Sequence, residues 1–313
     1  MIKKKNFMVL TVLVICLCCS FAVTPMELSD ENSRFVSLMS INIHYKLEGD
    51  SDNLMLMFHG FGSSTFTWNY IKDAFSSQFT LLAYDRPAFG LTERIIDVDD
   101  AEINVYSFYN QSSLAHDLVK SVNTSPEAII LMGHSAGTPI AIDYYLQYPK
   151  NVKGLILISP ALEHKLDDNP FAKTFSNPLI RGTVSLFRNL LARTLEGGLD
   201  ESWYDTTKIT EEIRNEYKKF TTIDDWEKAL IEFTLNQGDF DMLPDLVQID
   251  RPVLIIYGRE DKIVPYDEVL EGIKDNQNIT LVEIEKSGHV PHEETPEIVI
   301  KEIKEWMIKT GIK

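Results

Sequence analysis

The chain has 313 residues, 44% of them hydrophobic, which suffices for one large α/β domain with an insertion. Its formal net charge is −17, from 30 Lys and Arg against 47 Asp and Glu. So acidic a chain, with no basic patch beyond its first residues, argues against nucleic acid as a partner and would repel an acidic substrate.

The N-terminus carries Lys3-Lys4-Lys5, then the apolar run Phe7 to Leu17, then small and mixed residues as far as Ala22. This is the pattern of a secretory signal peptide over residues 1–22, and it predicts an extracytoplasmic protein, secreted or periplasmic. An uncleaved signal anchor is the alternative, because the apolar run lies near the lower limit for a membrane span. A lipid-modified cysteine fits less well, since bulky Leu17 precedes Cys18. All three cysteines (Cys16, Cys18 and Cys19) fall in this segment. A mature chain would therefore hold no disulfide and no thiolate metal site.

Residues 34–47 alternate polar and apolar side chains and predict a hairpin, with Ile41 to Tyr45 as one arm. Residues 23–162 form the first part of an alternating β–α domain. Its predicted strands are Leu54–Phe58, Phe79–Tyr84, Ala128–Met132 and Gly154–Ile158. A helix is predicted from Ser113 to Val122 and another over Pro139–Leu146. Such alternation implies a mostly parallel sheet. Residues 163–250 carry helical rather than strand periodicity, over Leu179–Arg193, Thr210–Phe220 and Asp224–Leu235. Residues 251–313 resume the sheet with Val253–Gly258 and Ile279–Ile284 and end in a helix near Glu297–Ile308.

Gly133-His134-Ser135-Ala136-Gly137 lies between a predicted strand and a predicted helix. A G-x-S-x-G sequence is weak evidence alone, but strand, sharp turn and helix is the context of a nucleophile elbow. A serine hydroxyl needs a base, and the base needs an orienting acid. Asp261 and His289 follow in that order, each in a loop just past a strand, where chemistry gathers in open α/β sheets. Glu260 is the rival for the acid and His292 for the base. The loop His59-Gly60-Phe61-Gly62 can turn a backbone N–H toward a developing oxyanion, and the hole is assigned to the N–H groups of Phe61 and Ala136. His59 is expected to orient that loop, Gly60, Gly133 and Gly137 to allow close approach, and His134 to be structural. Asp85 and Arg86 are expected to brace a turn. No cluster of His, Asp and Glu has metal-ligand spacing, so neither metal nor cofactor is invoked.

The elements just described resemble the α/β-hydrolase superfamily in its lidded serine esterase or lipase-like form. The resemblance rests on His59-Gly60-Phe61-Gly62, on Asp85-Arg86-Pro87-Ala88-Phe89-Gly90, on the elbow, and on the loops at Asp261 and His289. It implies a mostly parallel sheet of the eight-stranded type flanked by helices, with residues 163–250 as a helical cap inserted between two strands. Ala88 stands where the family often has glycine, which implies a slightly different turn, and Thr138 where it often has a third small residue. Epoxide hydrolases and haloalkane dehalogenases share the fold but use aspartate at the elbow. The implied activity is hydrolysis of a small or medium apolar carboxylic ester through an acyl-enzyme. Carbon–carbon bond hydrolysis, amide or peptide cleavage and acyl transfer are alternatives on the same triad, and a catalytically silent binding protein is a third class. Arg181, Arg188 and Arg193 are the cations that would suit an acidic substrate, but they read first as solvated. The cap is expected to control access more than chemistry, because every assigned catalytic group lies outside it. Tyr106, Phe108 and Tyr109, in the loop Thr92–Asn110, are read either as pocket rim or as core.

Overall fold

The computed structural model describes residues 23–98, 102–122, 125–264, 267–273 and 275–312. Residues 1–22, expected to be a signal peptide, and the three cysteines among them lie outside the described residues. Among the described residues no helix is long and apolar enough to cross a membrane.

Among the described residues ten strands follow in chain order: β1 (Arg34–Leu38), β2 (Ile41–Glu48), β3 (Asn53–Phe58), β4 (Thr80–Tyr84), β5 (Ala128–His134), β6 (Val152–Ile158), β7 (Glu163–His164), β8 (Phe240–Asp241), β9 (Val253–Gly258) and β10 (Ile279–Ile284). Eight of them form one sheet in the order β1-β2-β4-β3-β5-β6-β9-β10. The pairs on either side of β2 are antiparallel, and every pair from β4 to β10 is parallel. The sheet is thus the mostly parallel, eight-stranded one that the sequence implies.

Strand periodicity builds two cores. Leu54, Leu56 and Phe58 of β3 point to one face, with Leu131, Leu155, Leu157, Ile255 and Tyr257. Met55 and Met57 point to the other, with Ile130, Met132, Ile156, Leu254 and Ile256. Helices Phe108–Ser121 and Thr138–Gln147 cover the first face, and the terminal helix Pro296–Thr310 helps cover the second. Burial on both faces is why these strands read as unbroken apolar runs. Truncating any of these fully buried Leu or Ile side chains to alanine costs about 2–5 kcal/mol.

Two local expectations are corrected, and one open reading is resolved. The helix expected from Ser113 begins at Phe108, because Phe108 packs on Phe240 with ring centroids 5.0 Å apart and Gln111 bonds Arg86 and the Tyr106 carbonyl. Tyr106 and Phe108 are therefore core, not rim, and Tyr106 donates its hydroxyl to the Ile95 carbonyl. Ala88 has φ +78°, so the turn keeps the left-handed geometry that favours glycine and holds an alanine in it.

Between Ile158 and Val253 the chain leaves the carboxyl edge of the sheet. Its longer helices are Arg188–Ser202, Glu211–Lys219 and Trp226–Asn236. The helix expected from Leu179 is broken into a short helix, Pro178–Arg181, and a 3₁₀ turn, Val184–Phe187, because Gly182 ends the first piece. The segment is also not free of strand. β7 and β8 pair antiparallel and tie its two ends together at the neck.

Candidate active site

Strand β5 delivers Ser135 to the carboxyl edge of the sheet. Its φ of +48° lies in the left-handed region, a strain of about 1–3 kcal/mol for a non-glycine residue. Close packing maintains it. A Cβ on Gly137 would lie 2.2 Å from the Phe58 carbonyl oxygen, and one on Gly60 would lie 2.8 Å from His134 Nδ1. Thr138, the departure from the family pattern, donates its hydroxyl to the Ser135 carbonyl at 2.6 Å and closes the turn.

His289 Nε2 lies 2.8 Å from Ser135 Oγ, and His289 Nδ1 lies 2.8 Å from Asp261 Oδ2. With Nδ1–H donated to the carboxylate, Nε2 is left as acceptor for the serine hydroxyl. Asp261 Oδ1 accepts the N–H groups of Ile263 at 2.8 Å and Val264 at 3.1 Å, which fixes the carboxylate. The rivals are engaged elsewhere. Glu260 accepts the Ser287 N–H, and His292 Nε2 lies 2.7 Å from the Thr67 hydroxyl. The structure thus brings Ser135, Asp261 and His289 into one hydrogen-bonded line.

Phe61 and Ala136 border the same pocket wall. Among the described residues, neither N–H donates to a protein acceptor, so both are free for an oxyanion. His59 shapes the Phe61 loop from below. Its Nδ1 lies 2.7 Å from the Gly60 carbonyl, and its Nε2 accepts the Arg86 N–H at 2.9 Å. Burial and the Arg86 charge push its pKa down to about 4, so it stays neutral and holds this tautomer. Arg86 returns a second bond to the His59 carbonyl. Burial alone would raise the Asp85 carboxyl. His44 at 2.7 Å and the Leu91 N–H hold it well below the usual range instead, and Thr65 N–H also bonds it. Both residues brace the turn, as the sequence implies.

Two further histidines surround the base. His134 donates Nε2–H to the His289 carbonyl at 3.0 Å. Burial, then the charges of His292 and His289, holds its pKa well below the ordinary value. His292 is pushed down to about 3 by burial and by His289. Both neighbours stay uncharged, so a proton taken up by His289 meets Asp261 and no competing cation.

Sequence reasoning missed how the cap holds the base. The His289 N–H donates to the Ser202 carbonyl at 2.7 Å. Buried Glu294 accepts Gly288 N–H at 2.7 Å on the base loop, and Asp205 N–H at 2.7 Å and Tyr204 N–H at 3.1 Å on the cap. Lys208 Nζ donates to the Glu294 carbonyl. Tyr217 of helix Glu211–Lys219 donates its hydroxyl to Glu293 at 2.5 Å, and Thr67 bonds the same oxygen. Burial raises the Glu293 pKa to about 7, against the lowering effect of those two bonds. Beyond the control of access expected of it, the cap chain thus also bonds the base loop directly. No periodicity signals this.

A cavity of about 310 Å³ opens on Ser135 and His289, lined by Phe61, Leu195, Gly198, Leu199, Tyr217 and Val290 among others. A second, of about 390 Å³, borders Ala136 and Phe61 and is walled by Phe171, Leu191, Leu230 and Phe240. The cations that reach the first are spent: Arg214 pairs with Asp200 and Lys218 with Glu196. Arg181 and Arg188 pair with Glu232 and Glu227 within the cap. Among the described residues no group of three His, Cys, Asp or Glu is placed to hold a metal ion.

Comparison with known proteins bears on the fold and the family. The chain is 24% identical over 282 residues to the uncharacterized hydrolase YugF of Bacillus subtilis, covering 88% of this chain and 97% of that one. It is 22% identical over 301 residues to epoxide hydrolase 1 of Caenorhabditis elegans, covering 91% and 72%. A thermophilic esterase from Thermogutta terrifontis superposes with a TM-score of 0.70 at 19% identity, over 89% of this chain and 98% of the esterase. The family model of the alpha/beta hydrolase fold matches residues 53–296, and the chain is a hydrolase belonging to that family.

Proposed function

We propose that this hydrolase cleaves carboxylic esters of small or medium apolar substrates through an acyl-enzyme on Ser135. The observation that carries the reading is the continuous line Ser135–His289–Asp261, with two 2.8 Å contacts. His289 takes the Ser135 proton as the oxygen attacks the ester carbonyl. The N–H groups of Phe61 and Ala136 receive the oxyanion, worth about 2.7–4 kcal/mol for one such donor. His289 then protonates the leaving alcohol and later activates the water that frees the acid. Asp261 stabilises the imidazolium formed in each step.

Serine at the elbow favours acyl chemistry over epoxide opening. A carboxylate that opens an epoxide leaves an ester that water can cleave, whereas a serine would leave a stable ether. Apolar walls and paired cations favour an uncharged acyl group. The N-terminal sequence favours action outside the cytoplasm, with no membrane contact beyond an uncleaved anchor required for the chemistry.

The test is kcat/KM across nitrophenyl esters from acetate to palmitate, beside an anilide and a dienoic acid. Highest values on short or medium acyl esters are expected. Turnover of the dienoic acid or the anilide with no ester hydrolysis would reject the ester assignment.

A further inference from the structure

The cap carries an apolar surface that the pocket does not use. Leu179 is 83% exposed, Leu186 82% and Leu190 61%, with Ile180 and Phe187 exposed beside them. Both segments that hold them are pinned side by side on helix Trp226–Asn236. Arg181 bonds Glu232 of that helix, while Ser185 and Arg188 engage its Glu227. Isolated exposed leucines are ordinary, but a contiguous cluster of this kind marks an interaction surface.

Charge says what kind. Residues 169–195 contain no Asp or Glu, in a chain that has 47. The same stretch has four cations: Arg181 and Arg188 are paired with Glu232 and Glu227, while Lys173 and Arg193 are exposed and supply its positive charge. An apolar surface with cations and no carboxylate of its own, in a protein of net charge −17, is complementary to an anionic lipid interface.

The chain end lies beside it. Val23 forms a parallel bridge with Ile223, and Arg188, next to Phe187, donates to the Ile223 carbonyl at 3.3 Å. The sequence that precedes Val23 is the lysine-headed apolar run, which is membrane-directed whether cut or kept. Its exit point is therefore one hydrogen-bonded link from the patch.

We propose that the cap surface Leu179, Leu186, Phe187 and Leu190 docks on an anionic phospholipid bilayer. Helix Arg188–Ser202 then faces lipid with Leu190 and the Ser135 pocket with Leu195 and Leu199. Docking does not depend on the ester reading, because binding is measured without turnover.

The experiment is flotation of a chain beginning at Val23, since every described strand and every buried cluster lies within residues 23–312. The probes are vesicles of phosphatidylcholine alone and of phosphatidylcholine with phosphatidylglycerol. The protein should float with the anionic vesicles and at least tenfold less with the neutral ones. Leu186→Ser with Leu190→Ser should lower flotation at least tenfold. Its Tm and its labelling of Ser135 by a small phosphonate should not change without lipid. Leu179→Ser, on a separate segment, should give a smaller loss. Absence of flotation, equal flotation on both vesicles, or unchanged flotation of the double variant overturns the proposal. A dimer in solution that the double variant dissociates also overturns it, and assigns the patch to a second copy of the chain.

Discussion

Two helices border Ser135, and they are built differently. In Thr138–Gln147, eight of ten residues are buried. In Arg188–Ser202, only Leu199 is buried among fifteen. The first is wedged between the elbow and the sheet, and its position follows from strand register. The second is held by a few hydrogen bonds and by the small cluster of Phe66, Leu199, Trp203, Ile209, Ile213 and Val290. The core half of the site is rigid because its packing is the packing of the fold. The cap half can change without unfolding the protein, as elements with few buried contacts do. Yet it holds the base loop, so its changes reach the chemistry.

The core half breaks most sharply at the acid. Asp261→Asn should lower kcat by about 10⁴, with unchanged circular dichroism, because the imidazole loses its orienting partner. Glu260→Gln should cost far less, since Glu260 bonds the Ser287 N–H rather than His289. A larger loss from Glu260→Gln would show the wrong acid had been assigned.

The cap half is tested at its tether. Glu294→Ala removes the carboxylate shared by Gly288, Tyr204 and Asp205, and should lower kcat on the order of 10² with KM little changed, since base placement fails while the pocket remains. Excising residues 163–250 should likewise abolish phosphonate labelling of Ser135 even in a folded core. Full labelling after excision would return the cap to a role in access alone.

Much of the core half was legible in the sequence. Apolar runs such as Leu54–Phe58 and Val253–Gly258 announce buried parallel strands, and the order of Ser135, Asp261 and His289 announces their meeting at one sheet edge. The cap was legible only as helical. Its breaks at Gly182 and its neck at β7 and β8 depend on pairings made across many residues. The early start of helix Phe108–Ser121 depends on Phe240, far along the chain. Glu293 and Glu294 carry no sequence signal for the same reason: nothing local to a charged pair tells which segments will bury it.

The difference between the two halves also sets selectivity. A Cβ on Gly198 would meet nothing within 4 Å, and Gly198 lines the Ser135 cavity. Gly198→Leu should fill that space and lower kcat/KM for long-chain esters by roughly tenfold while sparing acetate, as one or two methylenes in a pocket do. An unchanged acyl-length profile would move the selective wall into the core.

A separate effect is expected on stability with pH. Glu293 has a folded pKa raised from 4.5 to about 7. Its contribution is therefore complete below pH 4.5 and lost as pH rises through 7, a change on the order of 3 kcal/mol. Glu293→Gln, which stays neutral, should flatten the fall in Tm between pH 5 and pH 8. A slope identical to that of the parent protein would mean that this carboxyl does not titrate there.

The central claim is that Ser135 is an activated nucleophile. Intact-protein mass spectrometry after exposure to a fluorophosphonate, with peptide mapping, measures this directly. The account predicts one adduct, on Ser135, absent from Ser135→Ala and from His289→Ala while both keep the parent circular dichroism. No adduct on the folded parent protein, or an adduct on another residue, would contradict it.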